Sequence, residues 1–228
     1  MNRSQELAAN LAAVESEIAA ACEAAGRSRS EVTLIAVTKT WPASDVRLLW
    51  DLGVRDFGEN REQEASEKAR ELADLELTWH FIGQVQTNKA ARIAAFADVV
   101  HSVDRVKLAI ALSRGAESAG REVRCLLQVS LDPPGCRDRG GADPSDLAEL
   151  ATAVASLPRL SLAGLMAVAP LGEAPAAAFE RLADYRRDFI AAHPAANWLS
   201  AGMSGDLREA VAAGATHLRI GSALLGNR

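Results

Sequence analysis

The sequence predicts an α/β fold, a single (β/α)8 TIM barrel spanning residues 1–228 with an extra helix at its front. Short, β-branched apolar runs alternate with amphipathic helical stretches at a spacing of roughly 25 residues. Eight such runs are found, which favours a closed barrel over an open doubly wound sheet. A barrel of this kind needs about 200 residues or more, so a chain of 228 has room for the barrel and the leading helix and for no second domain.

Leu7, Leu11, Val14, Ile18, Cys22 and Ala25 recur at steps of three and four, so residues 4–25 are expected to form a helix with Ser4 as N-cap and Gly26 as stop. Val32 to Val37 is an almost unbroken apolar run, as in a strand buried on both faces of a parallel sheet. A helix over about 44–52 ends at Gly53, and Val54 to Asn60 reads as strand two. The polar helix 61–73 leads to strand three, Leu77 to Gly83, and Gln86-Thr87-Asn88-Lys89 opens a helix reaching Phe96. Val99 to Val103 is strand four, and Asp104 is placed to cap a helix over 105–119 that Gly120 ends. Strand five is Val123 to Leu131. After a loop rich in glycine, proline and arginine (132–141), Asp143-Pro144 supplies an N-cap and N1 pair for a helix to Ala155. Leu160 to Val168 is strand six, Pro175 to Ala192 a long helix, and Trp198 to Ala201 strand seven. Ser204-Gly205-Asp206 starts a helix ending at Gly214, and His217 to Ile220 is strand eight.

Composition narrows the function. A net charge of −5 and the lack of a Lys/Arg cluster interleaved with aromatics argue against nucleic acid as a partner. No apolar run approaches the ~20 residues that span a bilayer, and the N-terminal stretch carries Glu6, Glu15, Glu17 and Glu23, unlike a signal peptide. A cytoplasmic protein without membrane attachment is expected. Cys22, Cys125 and Cys136 are odd in number and lack CxxC spacing, so neither disulfides nor a metal site is expected.

The residues that could do chemistry gather at the carboxyl ends of the predicted strands, where barrels build their sites. Lys39 follows strand one. Gly202-Met203-Ser204-Gly205 and Gly221-Ser222 follow strands seven and eight, and glycine with serine ahead of a helix suits a phosphate group. Strand eight neighbours strand one when the barrel closes. A lysine across the mouth from a phosphate pocket suggests a phosphorylated carbonyl compound held as a Schiff base, with pyridoxal 5′-phosphate the leading candidate. Arg219, inside strand eight, is then placed to meet the pyridine nitrogen.

Eight blocks in order resemble the pyridoxal phosphate homeostasis proteins of the YggS/PROSC type. They are Ala36-Val37-Thr38-Lys39-Thr40, Phe57-Gly58-Glu59-Asn60 with Gln63-Glu64, Trp79-His80-Phe81-Ile82-Gly83, Gln86-Thr87-Asn88-Lys89, Ser102-Val103-Asp104, Gly164-Leu165-Met166, Gly202-Met203-Ser204-Gly205-Asp206 and Arg219-Ile220-Gly221-Ser222. The resemblance implies the alanine racemase barrel without its β-domain, with Lys39 as the internal aldimine lysine. It further implies that Ser204, Gly221 and Ser222, beside Met203, hold the phosphate, that Arg219 faces the pyridine nitrogen, and that Asn60 lies near the ring. Two departures stand out. Ser200-Ala201-Gly202-Met203-Ser204 replaces the family's usual Ser-Met-Gly-Met-Ser, and the loop Pro133 to Gly141 replaces a Glu-Ser-Lys-rich segment.

The function implied is intracellular vitamin B6 homeostasis by a cofactor carrier, a monomer that passes pyridoxal phosphate to apo enzymes without substrate turnover and therefore has no catalytic residues. Arg219 disfavours a protonated ring nitrogen, and the only tyrosine, Tyr185, sits in the long helix among charged residues, away from the mouth. The chain runs only a few residues past strand eight, so no added domain is expected to supply a second base. The alternatives are a small pyridoxal phosphate enzyme with weak racemase or lyase activity, and a phosphate-binding barrel enzyme without this cofactor.

Overall fold

A computed structural model describes residues 2–133 and 139–226. Eight parallel strands close into a barrel in sequence order. They are β1 (Thr33–Val37), β2 (Asp56–Glu59), β3 (Thr78–Phe81), β4 (Val99–Val103), β5 (Val123–Gln128), β6 (Leu160–Met166), β7 (Trp198–Ser200) and β8 (His217–Ile220). The helices are α1 (Arg3–Ala24), α2 (Ala43–Asp51), α3 (Glu62–Glu71), α4 (Ala90–Ala94), α5 (Val106–Ala119), α6 (Leu147–Ser156), α7 (Pro175–Ala192), α8 (Leu207–Ala212) and α9 (Ser222–Leu225). Closure comes from β1 pairing with β8, with Thr33 opposite His217 and Ala36 opposite Ile220.

The strands sort their side chains by alternation. On β4, Val100 joins the large core between barrel and helices, whereas Val99 packs inside with Leu126, Ala163 and Met166. On β8, Leu218 and Ile220 face the helical layer, which turns His217 and Arg219 inward. α1 buries Leu7, Val14, Ile18 and Cys22 and lies across the closing seam. There Arg3 donates to the Leu225 carbonyl (3.0 Å) and to Asp45 (2.7 Å), and Asn10 donates to the Leu224 carbonyl (3.0 Å).

Three of the caps expected from sequence fall elsewhere. α1 is capped by Asn2, whose side chain and that of Gln5 form a reciprocal capping box, rather than by Ser4. Arg105 holds the N-cap position of α5 without a side-chain bond, because Asp104 pairs with the Arg105 guanidinium instead. α8 begins three residues after Ser204, with Asp206 at its N-cap. The strands expected from sequence are long by one to three residues at one or both ends in β1, β2, β3, β5, β6 and β7. Beyond β5, Val129 keeps a single parallel bridge to Ala142. Asp143 accepts from the Ser145 N–H (3.0 Å), capping a 3₁₀ turn that leads into α6. Part of the 132–141 loop, with Cys136, lies outside the described residues.

Candidate functional site at the carboxyl end of the barrel

Lys39 lies two residues beyond β1, in a tight turn closed by the Trp41 N–H donating to the Thr38 carbonyl (3.0 Å). Its side chain is exposed and makes no hydrogen bond or ion pair among the described residues. Thr40, next in the turn, has φ of 68°. A β-branched residue in the left-handed region is strained, and such strain persists only where the surroundings enforce it.

Those surroundings are a buried ionic cluster beneath the turn. Thr38 donates its hydroxyl to Glu59 (2.7 Å) at the end of β2. Lys68, one helical face along α3, reaches the Thr38 carbonyl, Glu59 and Glu64, each at 2.7 Å. Glu64 in turn accepts the Thr40 N–H at 2.5 Å. The Lys68 side chain is 7% exposed and that of Glu59 fully buried. Burial pushes the Glu59 carboxyl up while Lys68 and Thr38 pull it down. Both sides of the Lys39 turn are thus fastened to α3 by charge-assisted bonds.

Across the closing seam lie the two glycine-rich loops. A Cβ built on Gly221 would lie 3.5 Å from Val37 Cβ, so this loop abuts the end of β1. The Ala223 N–H donates to the Ser204 hydroxyl at 3.3 Å, which joins the β8 loop to the β7 loop. The Arg219 N–H donates to the Gly202 carbonyl (3.0 Å), and Gly202 has φ of +90°. A Cβ there would come within 2.6 Å of Ala210 Cβ, so only glycine fits this bend. The Met203 N–H is taken up by Asp206 (2.6 Å), while the Met203 side chain is 38% exposed. Ser222 opens α9 and is exposed.

Arg219 is 4% exposed and lies inside the barrel below these loops. It donates to the Ser200 hydroxyl (2.7 Å) and to the Ala167 carbonyl (2.9 Å). Burial lowers its pKa to about 10, which still leaves it charged at neutral pH. Two of its five N–H donors are used in these bonds, and a guanidinium has no acceptor to offer. Asn60 follows β2, the strand next to β1, and is exposed, with its backbone and side-chain oxygens packed over Gly83. It also borders a cleft of about 610 Å³ with Arg61, Gln84 and Lys89.

The structure therefore brings Lys39, Gly221, Ser222, Ser204 and Arg219 around β8 and its neighbours β1 and β7. Asn60 stands one strand beyond β1, and Met203 contributes backbone on the rim. Tyr185, on α7, packs on the barrel's outer layer against α6. Sequence reasoning missed the Lys68 cluster. Glu59, part of one of the blocks shared with the family, is a buried ion-pair partner of Lys68. A polar residue at the end of an apolar strand, followed by a lysine on the facing side of the next helix, was the available signal. His80 is inside the barrel, as its place between apolar neighbours allows, and is hydrogen-bonded to His101 at 2.9 Å.

The alanine racemase N-terminal domain family matches residues 9–228. A pyridoxal phosphate homeostasis protein of Pseudomonas aeruginosa is 46% identical over 225 residues, covering 97% of this chain and 96% of that protein. One from Mycobacterium tuberculosis H37Rv is 44% identical over 246 residues, covering 100% and 95%. The structure of PipY from Synechococcus elongatus PCC7942, solved with PLP bound, superposes with a TM-score of 0.83 at 38% identity, covering 96% of this chain and 100% of that one. The chain accordingly belongs to the alanine racemase N-terminal domain family and, within it, to the pyridoxal phosphate homeostasis proteins.

Proposed function

We propose that this protein binds pyridoxal 5′-phosphate covalently through Lys39 and serves intracellular vitamin B6 homeostasis as a carrier. The observation that carries the reading is an exposed lysine without a partner among the described residues, held on a strained turn, beside two glycine–serine loops joined to each other and a buried arginine. This set fits the cofactor chemically. Ser204 and Ser222 offer hydroxyls and glycine-flanked N–H groups to a phosphate, Lys39 offers an amine to an aldehyde, and Arg219 offers donors to a ring nitrogen. On this reading Asn60 would border the ring and Met203 the phosphate loop. The cofactor, when bound, supplies an electrophilic carbonyl and an aromatic ring that can accept electron density.

The same residues favour holding over turnover. Arg219 is a donor only, so a nitrogen facing it stays unprotonated and the ring is a weaker electron sink than one paired with a carboxylate. The single tyrosine lies outside the barrel wall and is not placed as a second acid or base. A monomer is the proposed state, and apo enzymes that use the cofactor are the proposed recipients. The free, buried Cys22 and Cys125 suit a reducing compartment such as the cytoplasm.

The test is to load the protein with pyridoxal phosphate, confirm a visible absorption band, and follow α-proton exchange of L-alanine and L-serine in deuterated water. A stable band without exchange is expected. Exchange at a few turnovers per second, within the ordinary enzyme range, would establish the racemase-like alternative instead.

A further inference from the structure

The interior of a barrel is ordinarily filled by layers of branched apolar side chains, yet here a line of polar side chains runs through it. Arg219 Nη1 donates to Ser200 Oγ (2.7 Å), Ser200 Oγ meets His101 Nδ1 (2.9 Å), His101 Nε2 meets His80 Nδ1 (2.9 Å), and His80 Nε2 meets Asp56 Oδ1 (2.9 Å). The line crosses from β8 and β7 to β4, β3 and β2, which only the barrel interior permits. Ser200 and His101 are fully buried, His80 is 1% exposed, and the Asp56 side chain reaches solvent with 28% of its surface.

Donor and acceptor roles along the line are fixed from its ends. Arginine can only donate and an ionised carboxylate can only accept. With both histidines neutral, Ser200 accepts from Arg219 and gives its proton to His101 Nδ1, His101 Nε2–H donates to His80 Nδ1, and His80 Nε2–H donates to Asp56. Every atom is then satisfied. In the reverse sense His101 would donate to Ser200, leaving a fully buried hydroxyl proton without an acceptor, and His80 would need a second proton to face Asp56. Burial, with His80, Arg219 and His217 nearby, also holds His101 well below its ordinary pKa and so neutral.

We propose that Ser200, His101, His80 and Asp56 are positioning residues of the ring-nitrogen subsite, a one-way hydrogen-bond line that aims the Ser200 lone pair at Arg219 and fixes the guanidinium beneath the mouth. The inference rests on the reading that Arg219 faces the cofactor's ring nitrogen. Asp56 balances the arginine charge from the opposite end of the barrel, and the neutral imidazoles transmit orientation without adding charge.

Two experiments test it. In ¹⁵N-labelled protein without cofactor, the imidazole nitrogens of both His80 and His101 should report the Nε2–H tautomer at neutral pH. A proton on Nδ1 of either ring, or an imidazolium, overturns the line's polarity and the proposal. In loaded protein, Ser200→Ala and His101→Phe should each shift the visible band and weaken pyridoxal phosphate binding about tenfold, a loss of ~1.4 kcal/mol. His101→Asn retains an acceptor for the Ser200 hydroxyl and should restore most of the wild-type spectrum. If Arg219→Ala moves the band but Ser200→Ala and His101→Phe do not, the line is packing only and the proposal fails while the Arg219 reading stands. If Arg219→Ala leaves the band unchanged, that reading fails and takes the proposal with it.

Discussion

Two lysines flank the same turn and live in opposite surroundings. Lys68 is buried and bonded at 2.7 Å to Glu59, Glu64 and the Thr38 carbonyl, whereas Lys39, one residue beyond that carbonyl, is exposed and unpartnered among the described residues. An ammonium with three acceptors around it has no lone pair to give to a carbonyl group, and burial leaves a large partner no approach. Lys39 has no such acceptors around it among the described residues and is open to approach, on a turn whose backbone is fastened at Thr38 and Thr40. The difference separates structural from chemical lysine by surroundings, although both side chains meet the turn after β1.

The largest expected effect comes from breaking the structural member. Lys68→Met leaves Glu59 buried without its cation, and Glu59 Oε2 already lacks a hydrogen-bond partner among the described residues. Breaking one side of a buried ion pair costs about 3–5 kcal/mol. Denaturant unfolding should register that loss, and the double variant Glu59→Leu/Lys68→Met should recover most of it. A Lys68→Met protein as stable as the wild type would mean that the cluster does not hold the turn.

A smaller effect, on affinity rather than stability, is expected on the other side of the seam. Ser204→Ala and Ser222→Ala should each weaken pyridoxal phosphate binding by roughly 1.5–3 kcal/mol, about ten- to a hundredfold, with little change in unfolding midpoint. Fluorescence or absorbance titration measures this, and wild-type affinity in both variants would place the phosphate elsewhere. The two serines need not be equal. Ser204 already accepts the Ala223 N–H at 3.3 Å, so its loss also loosens the join between the loops.

The smallest effect concerns the strained residue between the two lysines. Thr40→Gly relieves a left-handed φ of 68° and should stabilise the fold by roughly 1 kcal/mol, while letting the Lys39 turn sample more conformations and lowering cofactor affinity a fewfold. Thermal unfolding and titration together check the sign of each change. If Thr40→Gly destabilises the protein, the turn is not strained in the way its backbone angle indicates.

The parts of this picture that follow local rules were legible in the sequence. β-branched runs, glycine stops and the Pro175 helix start depend on neighbours a few residues apart, and β4, α7 and β8 fall where periodicity places them. That Lys39, Ser204, Arg219, Gly221 and Ser222 gather at one end of the barrel was legible because strand-end loops in a closed barrel converge whatever the side chains between them. The Lys68 cluster and the histidine line were not. Thr38 and Glu59 are 21 positions apart, and His101 and Ser200 are 99 apart. Their meeting depends on strand register and rotamers that no periodicity encodes. Alternation does make His80 and His101 interior residues of their strands, but their partners lie across the barrel. The caps went astray for a related reason. Ser4 and Asp104 are good cap residues, yet Asn2 forms the better box at one helix and Arg105 captures the carboxylate at the other.

The contrast between the two lysines is tested most directly by reducing the pyridoxal phosphate-loaded protein with borohydride and mapping the labelled peptide. The label should fall on Lys39 alone, at one per chain, and Lys39→Ala should remove both the label and the visible band while leaving the fold intact. A label on Lys68, Lys89 or Lys107, or an undiminished band in Lys39→Ala, would contradict the assignment of Lys39 as the amine that holds the cofactor.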